Sequence, residues 1–313
     1  MPLLNGSTDQ LRQYVPVTIT YTAEALLPTL EATQARLLDR FFGPAIASQF
    51  EELVNTASQA LSTVERQALH LARSAVARIA FAEHVPFAEV QIDDIGITVP
   101  AMEGRKAAFE YQTNKLTQTL LERGWSELDA LITLVASQTE IFPTWPDSPY
   151  FQEHQDALFK TPAEFSRYYP IQDRWLTFWA LRPFIRAVEE DRGVAAVARI
   201  DELAPAVPEA TRALIRRKLQ RALAYQSVIE ALPNLSVEIQ GVNLQVNYSS
   251  QYGNTQYYNA PGKEQLSWLL DNLTRQADLA WRTYEDSLTA VLAPNAFSDS
   301  TSLVYSTGAV TLL

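Results

Sequence analysis

The chain contains no cysteine among its 313 residues. That excludes disulfides, thiolate nucleophiles and cysteine-ligated zinc. Histidine is nearly as scarce. His70, His84 and His154 are too scattered for an H-x-x-x-H zinc face. The glycine motifs that cradle phosphates, G-x-G-x-x-G and G-x-x-x-x-G-K-[ST], are absent, as is the hydrolase elbow G-x-S-x-G. No apolar run reaches the ~18 residues of a spanning helix, so no membrane association is expected. The first residues, "MPLLNGS", have no charged segment leading into an apolar one, so no signal peptide is expected. Positive charge is in deficit: 25 Lys and Arg against 36 Asp and Glu, a formal net charge of −11. A general nucleic-acid binder needs the opposite balance. The basic run Arg212, Arg216, Arg217, Lys218 and Arg221 is spread along a predicted helix and reads as a solvated face.

What is present is an internal duplication. Val85 to Val99, "VPFAEVQIDDIGITV", aligns without gaps on Leu232 to Val246, "LPNLSVEIQGVNLQV", at a shift of 147 positions. Pro86, Val90, Ile92 and Val99 meet Pro233, Val237, Ile239 and Val246. Upstream, Ala75, Ala77 and Glu83 meet Ala222, Ala224 and Glu230. Downstream, after ten extra residues in the second copy, Lys106, Leu116 and Thr117 meet Lys263, Leu273 and Thr274. "ALLPTLEA" from Ala25 resembles "ALRPFIRA" from Ala180. The expected division is an N-terminal arm (1–24), copy one (25–136), a joining segment (137–179), copy two (180–293) and a C-terminal arm (294–313).

Each copy predicts the same elements. A helix starts near the Ala-Leu-x-Pro block. A second, alanine-rich helix stops before Val-Pro or Leu-Pro, because the residue before proline avoids helical angles. A β-hairpin follows, with Asp93-Asp94 or Gln240-Gly241 at its tip. A long helix closes the unit. Its apolar stripe is Leu266, Leu269, Leu270, Leu273, Ala277, Trp281, Tyr284, Leu288 and Leu292 in copy two. In copy one the stripe is Phe109, Leu116, Leu120, Leu128, Leu131 and Val135, with Gly124 interrupting it and Ser126 with Asp129 restarting it as a capping box. The fold class is therefore mainly α: internally duplicated helical units, each with a small β-hairpin, plus β-prone terminal arms.

The joining segment is dense in aromatics, among them Phe142, Trp145, Phe151, Phe159, Phe165, Trp175, Phe178 and Trp179. A flexible linker would be rich in glycine and serine instead. It is expected to be ordered and to pack across both copies. A pocket for a small molecule, in a binding protein or an enzyme, is the alternative use. Both termini alternate like strands, "VPVTITY" (Val15 to Tyr21) and "SLVYSTGAVTLL" (Ser302 to Leu313), and could add to a sheet of a neighbouring subunit.

Acidic pairs supply no obvious chemistry. Asp93-Asp94, Glu51-Glu52 and Glu189-Glu190-Asp191 lack the alternating oxygen ligands of a calcium loop. Neighbouring acids on a helix point to different faces, so solvated positions are expected. No catalytic, cofactor-binding or metal-ligating residue is assigned, and no enzyme activity is expected. The candidate contact residues are for protein partners. The ten-residue expansion lies within "YSSQYGNTQYYNAPG", which has the uncharged Tyr/Asn/Ser composition of binding loops. From it come Tyr248, Tyr252, Asn254, Tyr257 and Tyr258, and from the C-terminal arm Val304, Tyr305, Val310 and Leu312.

"FAEVQIDDIGI", "FPTWPDSPYF", "TPAEFSRYYPI" and "ALRPFIRAVE" together resemble an uncharacterised family encoded in bacterial, largely Bacteroidetes-type, genomes and their phages. In that setting, helical units with a small hairpin are similar to the head-to-tail adaptor, or neck, proteins of tailed phages. The resemblance implies a homo-oligomeric ring bridging portal and tail proteins, in the virion or in host cytoplasm before assembly. DNA would pass it without specific binding, and no cofactor is implied. Another tail or injection-device component is the alternative within that setting.

Overall fold

The computed structural model describes residues 2–88, 91–93, 96–98, 109–153, 155–235 and 263–292. The protein is mainly helical. In chain order the helices are α1 (Thr8–Leu11), α2 (Leu27–Phe41), α3 (Gly43–Asn55), α4 (Thr63–Ala88), α5 (Glu110–Ser137), α6 (Pro149–Gln152), α7 (Pro162–Ser166), α8 (Trp175–Val188), α9 (Val194–Asp201), α10 (Glu209–Leu235) and α11 (Lys263–Leu292). Between α4 and α5, β1 (Gln91–Asp93) pairs antiparallel with β2 (Gly96–Thr98), Ile92 opposite Ile97. Two compact units result. One holds the described residues up to Pro162 with Asp173–Phe178; the other holds Ala163–Gln172 with the described residues from Trp179 onward.

The first unit is organised around α4 and α5. Ser62 and Glu65 start α4 with a reciprocal capping box: the Glu65 carboxylate accepts from Ser62 N at 2.7 Å, and Ser62 Oγ accepts from Glu65 N at 3.2 Å. Small residues on α4, among them Ala68, Ala72, Ala75 and Ala80, are fully buried and let its neighbours approach closely. Leu120, Leu128, Leu131 and Val135 of α5 are buried, so the lower part of the predicted stripe is core, whereas Phe109 and Leu116 are exposed. Arg78 pairs with Glu127 across the two helices. A glycine at φ 78° joins α2 to α3, where Gly43 adopts a left-handed angle that side chains disfavour.

Four expectations are corrected here. First, α5 runs unbroken through Gly124, and Ser126 lies inside it rather than capping a new helix. Gly124 is there for proximity: a Cβ on it would stand 2.6 Å from Ile79 Cγ1. Second, α4 and α10 continue past Pro86 and Pro233 to Ala88 and Leu235. A proline in the last turn removes one backbone hydrogen bond and leaves the following turn possible. Third, in the second copy the helix begins at Trp175 and carries Pro183 internally; it does not start at Ala180.

The fourth concerns the N-terminal arm, which forms no strand. Val15 to Tyr21 is turn and irregular backbone, and Pro16 removes one donor that a ladder would need. Residues before it are buried: Leu3, Leu4, Leu11, Tyr14 and Val15. Arg73 Nε donates to Leu3 O at 2.9 Å, and Arg78 Nε donates to Tyr14 O at 3.2 Å. Those contacts tie the arm to α4 within its own chain. The C-terminal arm (294–313) and the second predicted hairpin lie outside the described residues.

Most of the joining segment's described aromatics are core, while Phe151, Tyr168 and Tyr169 are half-buried. Phe50 stacks on Phe142 at 6.0 Å, Phe42 meets Trp145 at 6.1 Å, and Trp145 meets Trp175 at 6.1 Å. Trp145 is 1% exposed, and Phe142 and Phe178 are fully buried. Burial of one such ring is worth about 4 to 6 kcal/mol by area.

The second unit pairs α10 with α11. Lys218, early in α10, bonds Ser287, late in α11, so the two helices run antiparallel. Leu273, Ala277, Tyr284 and Leu288 of α11 are buried, while Leu292 is 62% exposed. Between α8 and α9 the chain forms a π-helical turn, Glu189–Gly193. That turn positions the candidate site.

Candidate functional site

The π turn adds a residue to the helical register, a device that re-aims side chains and recurs at functional sites. It also buries a charge. Glu189 accepts from Arg182 at 3.2 Å, with side chains only 9% and 6% exposed. The acidic run Glu189-Glu190-Asp191 is therefore split rather than uniformly solvated. Glu189 faces inward, while the exposed Glu190 pairs with Arg186.

Arg192 of the turn and Ala195, Ala196 and Arg199 of α9 face Trp281, Tyr284 and Glu285 of α11 across a shallow groove of about 290 Å³. Arg192 lies over the Trp281 ring, 5.4 Å from its centroid. Arg199 forks onto Glu285, with N–H···O distances of 3.0 and 3.1 Å. Those hydrogen bonds push the Arg199 pKa up, so the fork stays charged. Both partners are half exposed, so the pair contributes at most about 1 kcal/mol. Tyr284 donates to Ala196 O at 3.1 Å and fixes α9 on α11. Burial raises its phenol pKa, against the opposing pull of Arg199. The Trp281 indole N–H is buried without an acceptor among the described residues.

No nucleophile–base pair converges on this groove. It holds a cation stacked on an aromatic face, a fixed Arg–Glu fork and two alanines. Among the described residues no cluster of three His, Asp or Glu could hold a metal, and no helix is long and apolar enough to cross a membrane. Several basic residues of α10 are engaged locally. Arg212 pairs with Glu209, Arg216 with Asp201 at 2.8 Å, and Arg221 covers Tyr225.

The sequence reading placed Trp281 and Tyr284 in a core stripe and gave Arg192 no role. The signal that could have marked them is an aromatic i, i+3 pair on α11, but its meaning depends on the π turn opposite. The candidate contact residues Tyr248, Tyr252, Asn254, Tyr257, Tyr258, Val304, Tyr305, Val310 and Leu312 lie outside the described residues, as do His154 and Asp94.

No curated protein and no solved structure matches the chain. A family model does match, over residues 38–155 and 196–301, and so covers more than half of the 313 residues. The match carries neither an activity nor a biological source. The chain belongs to a family of unknown function, DUF6712.

Proposed function

We propose that this protein is a non-enzymatic assembly protein: a head-to-tail connector of a tailed phage or phage-derived particle, working as a homo-oligomeric ring between portal and tail proteins. In this reading the helix pairs α4–α5 and α10–α11 are two copies of one unit. Two similar but distinct faces suit heterologous contacts around a ring.

One observation carries the proposal. Phe87 in the last turn of α4 and Phe109, Tyr111 and Leu116 at the start of α5 are exposed, at 66%, 67%, 57% and 40%, and Phe109 stacks on Tyr111. Exposed aromatics clustered on one end mark a contact surface more than they mark solubility. The acidic balance suits a conduit that should not grip DNA. Burial of Phe142, Trp145, Phe159, Phe165 and Phe178 in the joining segment weighs against the small-molecule alternative. The test is size-exclusion chromatography with light scattering, followed by negative-stain microscopy, alone and mixed with purified phage portal and tail proteins. Rings or end-to-end stacks are expected. A protein that stays monomeric in every mixture overturns the reading.

A further inference from the structure

Two surfaces stand out beyond the connector reading. The first is the groove lined by Arg192, Arg199, Trp281, Tyr284 and Glu285. Trp, Tyr and Arg are the residues that dominate binding energy at protein interfaces. At about 290 Å³ the groove sits at the small end for organic ligands, a size that fits a single inserted side chain. Arg199 is neutralised by Glu285. The charge left over is that of Arg192, which forms no salt bridge among the described residues and spreads its guanidinium over an aromatic face.

The second surface is the start of α5. Phe109 and Tyr111 stack on each other, centroids 5.8 Å apart and 15° from parallel, and both point outward. Glu110 stands between them, exposed and in no ion pair among the described residues. This is an aromatic tip carrying one unspent negative charge. It complements an aromatic groove carrying one unspent positive charge.

We propose that the Arg192–Trp281 groove receives the Phe109–Glu110–Tyr111 tip of a second copy of this chain. Glu110 then meets Arg192, while an aromatic ring enters beside Trp281. The contact is proposed as head-to-tail: each copy offers a tip to one neighbour and a groove to another, which propagates into a ring or a stack. A reciprocal tip-and-groove exchange between two copies would instead close on a two-fold axis. The inference rests on the assembly reading and gives it a specific joint.

Charge exchange tests it. Sedimentation velocity across a concentration series is run on the full chain, on Arg192→Glu, on Glu110→Arg and on the double variant. Thermal melting is followed in parallel, and Phe109→Ala serves as a charge-neutral control. Each charge reversal should weaken self-association about tenfold or more, because like charges then face each other. The double variant should recover most of the loss, and Phe109→Ala should weaken assembly without changing its salt dependence. Melting temperatures should stay close to that of the parent. If the parent assembles and the single variants assemble equally well, this joint is wrong while the connector reading stands. If the parent never assembles, both fail. If the exchange alters melting but not mass, the two surfaces meet within one chain and the proposal is overturned.

Discussion

Gly124 of α5 lies so close to Ile79 of α4 that any side chain there collides. A Cβ would stand 2.6 Å from Ile79 Cγ1, 3.3 Å from its Cδ1 and 3.4 Å from Ala75 O. Two effects oppose each other in Gly124→Ala. Helix propensity gains up to about 1 kcal/mol. Overpacking costs about 1 to 3 kcal/mol, and the clash falls on a branch near the Ile79 backbone, which has little freedom to retreat. A net loss of about 1 to 2 kcal/mol is expected, read as a lower urea midpoint. Ile79→Ala makes room, so the double variant should lose less than the two single losses combined. A Gly124→Ala protein as stable as its parent would mean the helices do not pack this closely.

Arg182 and Glu189 form a buried pair at 3.2 Å, on the helix turn leading into the π turn. Removing one member leaves a charge in a poorly solvated place. Arg182→Met is expected to cost about 3 to 5 kcal/mol. Arg182→Met with Glu189→Leu should cost markedly less, since no orphan charge remains. Denaturant unfolding of the three proteins decides. Equal losses in single and double variants would show that packing, not charge, matters at this place.

The parts of this fold legible in the sequence are those set by local periodicity. Leu128, Leu131 and Val135 recur at helical spacing and are buried, as are Leu273, Ala277, Tyr284 and Leu288. The aromatic density from Phe142 to Phe178 marked an ordered segment, and most of its described rings are core. What misled was local punctuation overruled by tertiary contact. Gly124 looked like a break and is a point of close approach. Pro86 looked like a stop and sits in the last helical turn. Val15 to Tyr21 alternates like a strand, yet two arginines on α4 hold the arm as irregular chain. The groove was illegible for another reason. A π turn is one residue of extra register, and no residue type announces it. Arg192 and Trp281 are 89 positions apart and meet only because that register shift aims them together.

The N-terminal arm should behave as part of the first unit. Leu11 is 2% exposed, so Leu11→Ala is expected to cost about 2 to 5 kcal/mol. Arg78→Met should cost less, since it removes the hydrogen bond to Tyr14 O and the pairing with Glu127 but keeps an aliphatic stem. Limited proteolysis reports the same contacts differently. The arm should resist cleavage in the parent and be cut within residues 2–22 when Leu11 is truncated. An arm cleaved equally fast in both proteins would mean it is not anchored as described.

Asp129 gives a pH-dependent test of the first unit. Its carboxylate accepts from Leu176 N at 2.9 Å. Burial raises its pKa, and the Leu176 amide and the nearby Arg174 only partly offset that. The folded protein therefore holds this proton more tightly than the unfolded chain, where an aspartate titrates near about 3.9. The sign follows from linkage: the contribution to stability is fully present below the unfolded pKa and fades as pH rises through the folded one. At neutral pH the ionised, partly desolvated carboxylate is a cost. Asp129→Asn keeps an acceptor for Leu176 N and removes that cost. The variant should be more stable than the parent at pH 7, and the gap should narrow as pH falls toward about 4. Urea midpoints of both proteins across that range measure it. A gap that widens toward acid would reverse the sign and show that the Leu176 hydrogen bond, not burial, governs Asp129.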